Sequence, residues 1–515
     1  MGLSGVARPV RKLLVGAYYV AQPVLKPTLK ATVGRNERVW QKLQSARDGL
    51  ITGSTLPAGI NEPWPRRVYA SLFFVVGAPA RFILKNTLGR NAGLWRRVRR
   101  VHGRLIAGPA PAAWTRDPAE PLVPDRLSKQ PFGVNLAGYL TSEKGTGEAA
   151  RSAAAILKAA GLPLALNNII DSGSANREAA VQGFTEVNPY AFNIIYVNGD
   201  QAANFAFHKG RPYFQDRYSI GAWNWELTSF PDEWTSRFQY FDEIWVPTTF
   251  VRDALARISP IPVTKVPYAV QAASSAGRTR SHFDLPADDF IFLFMFDFHS
   301  AFERKNPLGL IEAFKRSFST NEAATLFIKS SRADKRSVMM MCEAAVDAKI
   351  MITDTVLSRE EINALYRLCD CYVSLHRSEG FGLTPAEAMA AGKPVIATAY
   401  GGNMDFMTAE NSYLVRYVLT ELKRDYTPYQ KGWVWADPDI NHAAELMRHV
   451  YEDRSHGRAV GRRAAGDIRR LLGPEAVGEA MKQQLEAIAS EIGIAIPEVN
   501  PAGEYNVSLR RREAT

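Results

Sequence analysis

SEGFGLTPAEAMAAGKPVIA, running from Ser378 to Ala397, is the stretch on which the reading of this chain turns. A carboxylate, Glu379, precedes two glycines separated by Phe381. Glycine has no side chain to hold a ligand away from the backbone, so Gly380 and Gly382 allow close approach. Thr384-Pro385 reads as a helix start, with Glu387 in the first turn. A helix N-terminus offers free N–H groups and a partial positive charge, which together favour phosphate. Glutamates flanking such a phosphate site can accept hydrogen bonds from hydroxyl groups on both sides. A diphosphate with hydroxyl-bearing groups at each end is a nucleotide-sugar. Taken one at a time, the same letters also fit a capping box from Thr384 to Glu387, an ordinary loop carboxylate at Glu379, and a helix end running into a buried strand.

Taken whole, the string closely resembles the donor-site signature of the retaining glycosyltransferases of family 4, whose two glutamates lie eight positions apart, as Glu379 and Glu387 do here. The resemblance covers residues 130–495 or so and implies a GT-B fold: α/β, with two Rossmann-like domains facing a cleft. It also implies that Glu379 reaches the hydroxyls of the transferred sugar and that Glu387 holds the nucleotide ribose. Backbone groups of Gly380, Phe381, Gly382, Leu383 and Thr384 would meet the sugar and diphosphate.

Upstream, IFLFMFDFHSAFERKNPLGLIEAFKRSF (Ile291 to Phe318) reads as a buried strand and, after Pro307, an amphipathic helix. Between them stand Arg304 and Lys305, adjacent cations just before a helix and suited to neutralising a diphosphate leaving group. The resemblance places cationic diphosphate ligands here. Many family members carry another Arg a few residues earlier, where this chain has His299 and Ser300. The phosphate role is therefore expected of Arg304 and Lys305, joined by Lys329 after the next strand. In TAYGGNMDFM (Thr398 to Met407), Asn403 is a donor-site candidate, although it and Asp405 equally suit a turn.

From Phe132 the pattern is again α/β. GVNLAGYL is a short strand, TSEKGTGEAAR a glycine-containing loop, and Arg151 to Ala160 a helix. The loop residues Gly145, Thr146 and Gly147 would approach the diphosphate or acceptor, or form a plain turn. Further strands are predicted at Leu164–Asn168 and Asn193–Val197. In IGAWNWELTSFPDEW (Ile220 to Trp234), Trp223 reads as core and Glu226 as a strand-end carboxylate facing the cleft. Many family 4 members have a histidine near this place. The WNWE string resembles a bacterial polysaccharide-associated branch, and Glu226 is expected to contact sugar or acceptor. KGWVWADPD (Lys431 to Asp439) resembles the same branch and is expected to pack on the core. The last helix, Pro474 to Ile492, is expected to cross back to the first domain.

Composition bounds the rest. At 515 residues the chain needs two or three domains, and 46% hydrophobic with 22% charged residues is ordinary for a globular protein. Three cysteines are too few for a disulfide framework, and Cys369 and Cys371 read as buried thiols. No cofactor or metal is expected: Asp437-Pro438-Asp439 has metal-binding spacing only by letter, and the nucleotide-diphosphate sugar is a substrate.

Charge is unevenly spread. Residues 1–110 hold 19 Lys/Arg against 3 Asp/Glu. This segment repeats itself: 11–53 align on 66–108 with 12 identities, including Gly34-Arg35-Asn36 on Gly89-Arg90-Asn91. Each copy reads as a helical hairpin whose apolar run is too short to span a bilayer. Such a module suits an anionic membrane surface, though packing on the enzyme or on a partner protein fits it as well. Specific nucleic-acid binding is not expected, because no recognition motif accompanies the charge.

The expected organisation is a basic duplicated helical module (1–110), a Pro-rich linker (111–131), an acceptor domain (132–280), a donor domain (281–473), a crossover helix (474–495) and a tail (496–515). The expected activity is retaining, metal-independent transfer of a hexose from a nucleotide-diphosphate sugar to a glycan or lipid-linked acceptor. This would take place in the cytoplasm, peripherally on the inner face of the membrane. The alternative is an inactive GT-B scaffold that binds sugar nucleotide and docks partners through the repeats.

Overall fold

The computed structural model describes residues 129–142, 144–171, 176, 181–271, 277–298, 300–500 and 505–506. The basic module and its repeats lie outside the described residues, as do His299 and most of the linker and tail.

Two six-stranded sheets, parallel throughout, organise these residues, and both belong to one compact unit, Ala112–Thr515. The first contains β1 (Val134–Gly138), β2 (Leu164–Asn168), β3 (Phe192–Tyr196), β4 (Tyr218–Ala222), β5 (Glu243–Val246) and β6 (Val263–Lys265), in the order β2-β1-β3-β4-β5-β6. The second contains β7 (Phe290–Met295), β8 (Ala324–Ser330), β9 (Ile350–Asp354), β10 (Cys371–Ser374), β11 (Val395–Thr398) and β12 (Tyr413–Val415), in the order β12-β11-β10-β7-β8-β9. Central strands such as FIFLFM of β7 are apolar at every position because helices cover both faces of a parallel sheet. In the second sheet the direction of travel reverses between β7 and β10. A crevice opens beyond the carboxyl ends at such a reversal, and there the loops after β7 and β10 meet.

The helices around the two sheets include α1 (Gly145–Ala159), α2 (Thr249–Ala256), α3 (Phe302–Lys305), α4 (Pro307–Ser317), α5 (Arg359–Leu368), α6 (Leu383–Ala390), α7 (Ile440–Glu452), α8 (Arg454–Leu472) and α9 (Pro474–Glu491). Along α9, Val477, Met481, Leu485 and Ile488 recur on one face and enter the core of the first sheet beside Phe132, Ile156 and Phe192. The C-terminal helix thus packs on the first domain.

The segment after β12 forms a hairpin, β13 (Tyr417–Glu421) paired antiparallel with β14 (Val434–Pro438). Most of its aromatics go to the first domain, though Tyr417 packs on Tyr400. Trp435 and Tyr429 belong to the cluster built on Trp223, Trp225 and Phe238, and Trp433 packs against it. Trp225 lies 5.6 Å from Tyr429 and 6.0 Å from Trp433, centroid to centroid.

Local expectations shift in three places. The glycine loop after β1 is shorter than predicted, because α1 begins at Gly145 and takes in Gly145, Thr146 and Gly147. Glu148 in its first turn favours the helix dipole and pairs with Arg151, whose guanidinium also bonds the carbonyls of Leu140 and Ser142. The helix after the second glycine motif starts at Leu383, not Thr384, with Gly382 at φ +89° as its cap. Glu387 is therefore its fifth residue, in the second turn, where no Thr384 capping box can form. Finally, β4 ends at Ala222, so Glu226 lies in the following loop and not at the strand end.

Cys369 and Cys371 are buried free thiols and Cys342 is exposed. Among the described residues no helix is long and apolar enough to cross a membrane.

Candidate active site

The loop after β7 delivers two cations. The single turn α3 carries Arg304 and Lys305 and is stopped by Asn306, in the left-handed region at φ 54°. Asn306 donates its side-chain amide to the Leu375 carbonyl at 2.9 Å, fixing the turn against the loop after β10. The Arg377 amide donates back to the Arg304 carbonyl at 2.7 Å. This lacing holds Arg304 and Lys305 against Glu379. Arg304 Nη1 lies 3.2 Å from Glu379 Oε2, and Lys305 Nζ bonds Oε1. Arg304, only 3% exposed, also donates to the Ser378 carbonyl at 2.7 Å.

The charge states follow from the packing. Burial pushes the Glu379 carboxyl up, but Lys305 and Arg304 outweigh that and hold it at about 2. Burial also works against the Arg304 cation, yet Tyr429, Glu379 and Glu226 around it push its pKa up. The Lys305 ammonium is pushed down, by burial first. Arg304 Nε–H is buried and has no hydrogen-bond partner among the described residues.

The first domain closes the site from above. Glu226 accepts from the Tyr429 hydroxyl at 2.9 Å, and its carbonyl accepts from Ser378 Oγ. Thr248 donates to the Gly380 carbonyl at 2.7 Å. Asp405 accepts from the Thr249 amide at 2.9 Å, at the start of α2, and from Lys265 at 3.2 Å. A Cβ placed on Gly380 would stand 2.3 Å from the Trp225 carbonyl oxygen. The space that a side chain would take on that glycine is filled by the first domain's backbone. Gly402 is similarly consumed, since a Cβ there would stand 2.0 Å from the Gly380 carbonyl.

The second glutamate sits apart from this cluster, on α6. Glu387 is 7% exposed; Arg359 Nη2, at the start of α5, lies 2.7 Å from its Oε1, and the Tyr366 hydroxyl donates to Oε2 at 2.9 Å. Burial raises the Glu387 carboxyl and Arg359 opposes it. Glu148, from the first turn of α1 in the first domain, adds its charge to both Arg359 and Glu387. No side chain caps α6, whose first residues are Leu383 and Thr384. Phe381 packs edge-on against Tyr268, 5.2 Å between centroids.

The predicted residues thus divide. Glu379, Arg304, Lys305 and Glu226 converge, with Gly380, Phe381, Gly382, Leu383 and Thr384 on the adjoining loop and helix start. Glu387 stands one turn further along α6. Lys329 ends in a different charge group, with Asp297, Asp354 and Arg332, and burial lowers its ammonium. Asn403 is fully buried, its amide spent on the Thr398 carbonyl at 3.0 Å and on His376 at 3.2 Å. In this structure it braces the loop through these bonds. Gly145 is exposed, Thr146 half-buried, and a Cβ on Gly147 would strike the carbonyls of Ser142 and Tyr139.

Arg359, Tyr366 and Tyr429 were not anticipated. The first two lie on a helix whose Ser358–Glu361 capping box was legible, but no spacing rule links them to Glu387. Asp437 bonds Arg377 and Asp439 caps α7, and no group of three or more candidate metal ligands occurs among the described residues.

Residues 278–467 match the family model of glycosyl transferases group 1. The chain is 39% identical over 71 residues to a trehalose synthase of Pyrococcus horikoshii, which is 14% of this chain and 17% of that one. It is 44% identical over 64 residues to a lipopolysaccharide core biosynthesis mannosyltransferase of Rhizobium meliloti, 12% of this chain and 18% of that one. These alignments span less than a fifth of either relative. Among solved structures, sucrose-phosphate synthase from Thermosynechococcus elongatus superposes with a TM-score of 0.51 at 16% identity, over 70% of this chain and 100% of that one. A glycosyltransferase from Rickettsia africae gives 0.51 at 13%, over 70% and 98%. The likeness carries the fold: two parallel-sheet Rossmann-like domains in the GT-B arrangement.

Proposed function

We propose that this chain is a retaining, metal-independent glycosyltransferase of the family 4 type. It moves a hexose from a nucleotide-diphosphate sugar to a glycan or lipid-linked acceptor in bacterial cell-surface polysaccharide synthesis. The observation that carries the reading is the convergence of Arg304, Lys305 and Glu379 at the strand-order reversal, beside the uncapped start of α6. The match of residues 278–467 to the group 1 model and the similarity to a lipopolysaccharide mannosyltransferase support it.

In this reading the donor diphosphate lies across Arg304, Lys305 and the amides of Gly382, Leu383 and Thr384. The unpartnered Arg304 Nε–H is one donor that a phosphate oxygen would satisfy. Glu379, ionised and gripped by two cations, orients the sugar hydroxyls and does not act as a free nucleophile. Glu387 accepts from the ribose, and Glu226, with Tyr429, faces the sugar or acceptor. As the bond from the anomeric carbon to phosphate breaks, an oxocarbenium-like centre forms. The acceptor oxygen attacks on the same face and its proton passes to the departing phosphate oxygen. Arg304 and Lys305 hold the charge that develops on the diphosphate. The work is cytoplasmic and peripheral, with the basic 1–110 module holding the enzyme at the membrane's inner face.

A thermal-shift screen of UDP-, GDP-, ADP- and dTDP-sugars identifies the donor, and donor hydrolysis follows turnover. Wild-type turnover in an Arg304→Ala/Lys305→Ala double variant would refute the phosphate assignment. The absence of any shift or hydrolysis with all four donors would favour a non-catalytic scaffold.

A further inference from the structure

The second sheet has a charged groove at its other end. A cavity of about 310 Å³ opens at the amino edge, lined by Phe290, Asp370, Lys393 and three arginines of α8, Arg454, Arg458 and Arg462. Phe290 begins β7, Asp370 precedes β10 and Lys393 precedes β11, whereas Glu379 and Arg304 follow the carboxyl ends of β10 and β7. The length of the strands therefore separates groove from cleft, on the order of 15 Å at about 3.3 Å per residue.

The groove has a floor and a charged wall. Gly457 and Gly461, one turn apart and both buried, let α8 press on the turn at Gly392–Pro394; a Cβ on Gly461 would stand 2.2 Å from the Gly392 carbonyl. Arg454, Arg458 and Arg462 follow at four-residue intervals, so they form a row along the same side of the helix. Two other cations of α8 are spent on acids: Arg463 pairs with Glu410 and Arg470 with Asp467. Arg458 and Arg462 have no acid or carbonyl partner among the described residues. Arg454 stacks its guanidinium over Phe290 and Tyr451, 5.1 Å from each ring centroid, and among the described residues bonds only the Tyr451 carbonyl. The one acid of the groove, Asp370, is held by Arg280 at 2.9 Å and by the Ile291 amide at 2.8 Å. Lys393 gives two hydrogen bonds to the carbonyls of Arg367 and Cys369, and an ammonium has three to give.

We propose that this groove is a binding site for a phosphate-bearing anion, gripped by the Arg458 and Arg462 forks and by Arg454. Guanidinium forks match phosphate oxygens two at a time, and a concave wall of like charge with its acid already neutralised draws such an anion in. The phosphate could belong to a soluble phosphorylated molecule or to a lipid headgroup, and the same chemistry serves both.

The test uses the full chain and inorganic pyrophosphate, titrated calorimetrically at low salt. Wild type is expected to show a binding component that weakens on the order of tenfold or more in Arg458→Gln/Arg462→Gln. Arg458→Lys/Arg462→Lys, which keeps the charge but not the fork, is expected to fall between. Both arginines are exposed, so unchanged melting temperatures are expected to show that the variants fold. Co-sedimentation with phosphatidylglycerol vesicles separates the sources. Loss of pyrophosphate binding together with a weaker vesicle affinity in the Gln variant, beyond the share that the basic 1–110 module keeps, assigns the groove to a headgroup, and loss of pyrophosphate with an unchanged vesicle affinity assigns it to a soluble ligand. Identical pyrophosphate titrations in wild type and the Gln double variant would overturn the proposal, whatever the vesicles do.

Discussion

The Trp225 carbonyl oxygen stands where a side chain would be on Gly380, 2.3 Å from the position of a Cβ. The two residues belong to different domains, so this glycine sets how closely the domains meet. Gly380→Ala should force them apart at the site, costing about 1–3 kcal/mol by overpacking and lowering turnover more than donor affinity. Urea unfolding and steady-state kinetics check this. Gly145→Ala is the control, since nothing lies within 4 Å of its Cβ position, and it should leave both stability and kinetics near wild type.

Arg304→Ala removes one of two cations from a buried carboxylate. Breaking a buried pair on one side typically costs about 3 kcal/mol or more; with Lys305 still bonded to Glu379 the loss here should fall somewhat below that. Arg304→Lys should recover part of the stability but little of the turnover, since a lysine has no counterpart of the buried Nε–H offered to a phosphate oxygen. Denaturation midpoints set against turnover of a responding donor separate the two effects.

Arg359 is expected to act through Glu387. Arg359→Ala should raise the KM for donor on the order of tenfold, the worth of a hydrogen bond to a charged group, with a smaller change in kcat. Without the guanidinium, burial pushes the Glu387 carboxyl higher still. Donor affinity in the variant should therefore fade at a higher pH than in wild type as the solution is acidified. A pH-independent KM change of the same size would make Arg359 merely structural.

Glu379 predicts the acid limb of stability. Its carboxyl titrates at about 2 in the folded chain against an ordinary value of 4.5. A depressed carboxyl contributes stability that is present above the unfolded value and is lost as pH falls through the folded one. Wild type should therefore lose more stability than Glu379→Gln between about pH 4.5 and 2, although the variant starts lower at neutral pH because Arg304 and Lys305 have lost their partner. Urea midpoints across that window provide the comparison.

Gly466 is exposed inside α8 with nothing within 4 Å of a Cβ. Gly466→Ala should stabilise the protein by about 1 kcal/mol. Thermal unfolding checks it, and pyrophosphate binding in the groove should not change.

Much of this was legible in the sequence because it is local. Apolar runs between glycine-bearing turns mark parallel strands, and Leu164–Asn168 was placed to the residue. The Arg304-Lys305 pair and Glu379 carry their chemistry in their own neighbourhoods. What was illegible depends on partners far away in the chain. The packing of the Trp225 carbonyl on Gly380 was hidden because nothing near Gly380 in sequence reveals Trp225. Asn403 looked like a cleft residue because His376, its partner, lies 27 positions upstream. Arg359 stood in a helix start that any fold could use. The early start of α1 was missed because two glycines argue for a loop, while the Arg151 bonds that overrule them form only once the loop is folded.

The hairpin β13–β14 leaves the second domain at Arg416 and returns at Asp439, with the Asp439 amide clasping the Arg416 carbonyl at 2.8 Å. Between those roots Tyr429, Trp433 and Trp435 are embedded in the other domain. The chain is therefore threaded like a strap: rooted in one body, buckled into the next. Any widening of the cleft has either to tear Trp433 and Trp435 from the Trp225 cluster or to carry the whole strap along, turning about the Arg416–Asp439 clasp. In the second case Tyr429 and Glu226 travel as one piece, away from Arg304 and Glu379, and the cleft parts along a line that sequence order alone would have drawn elsewhere.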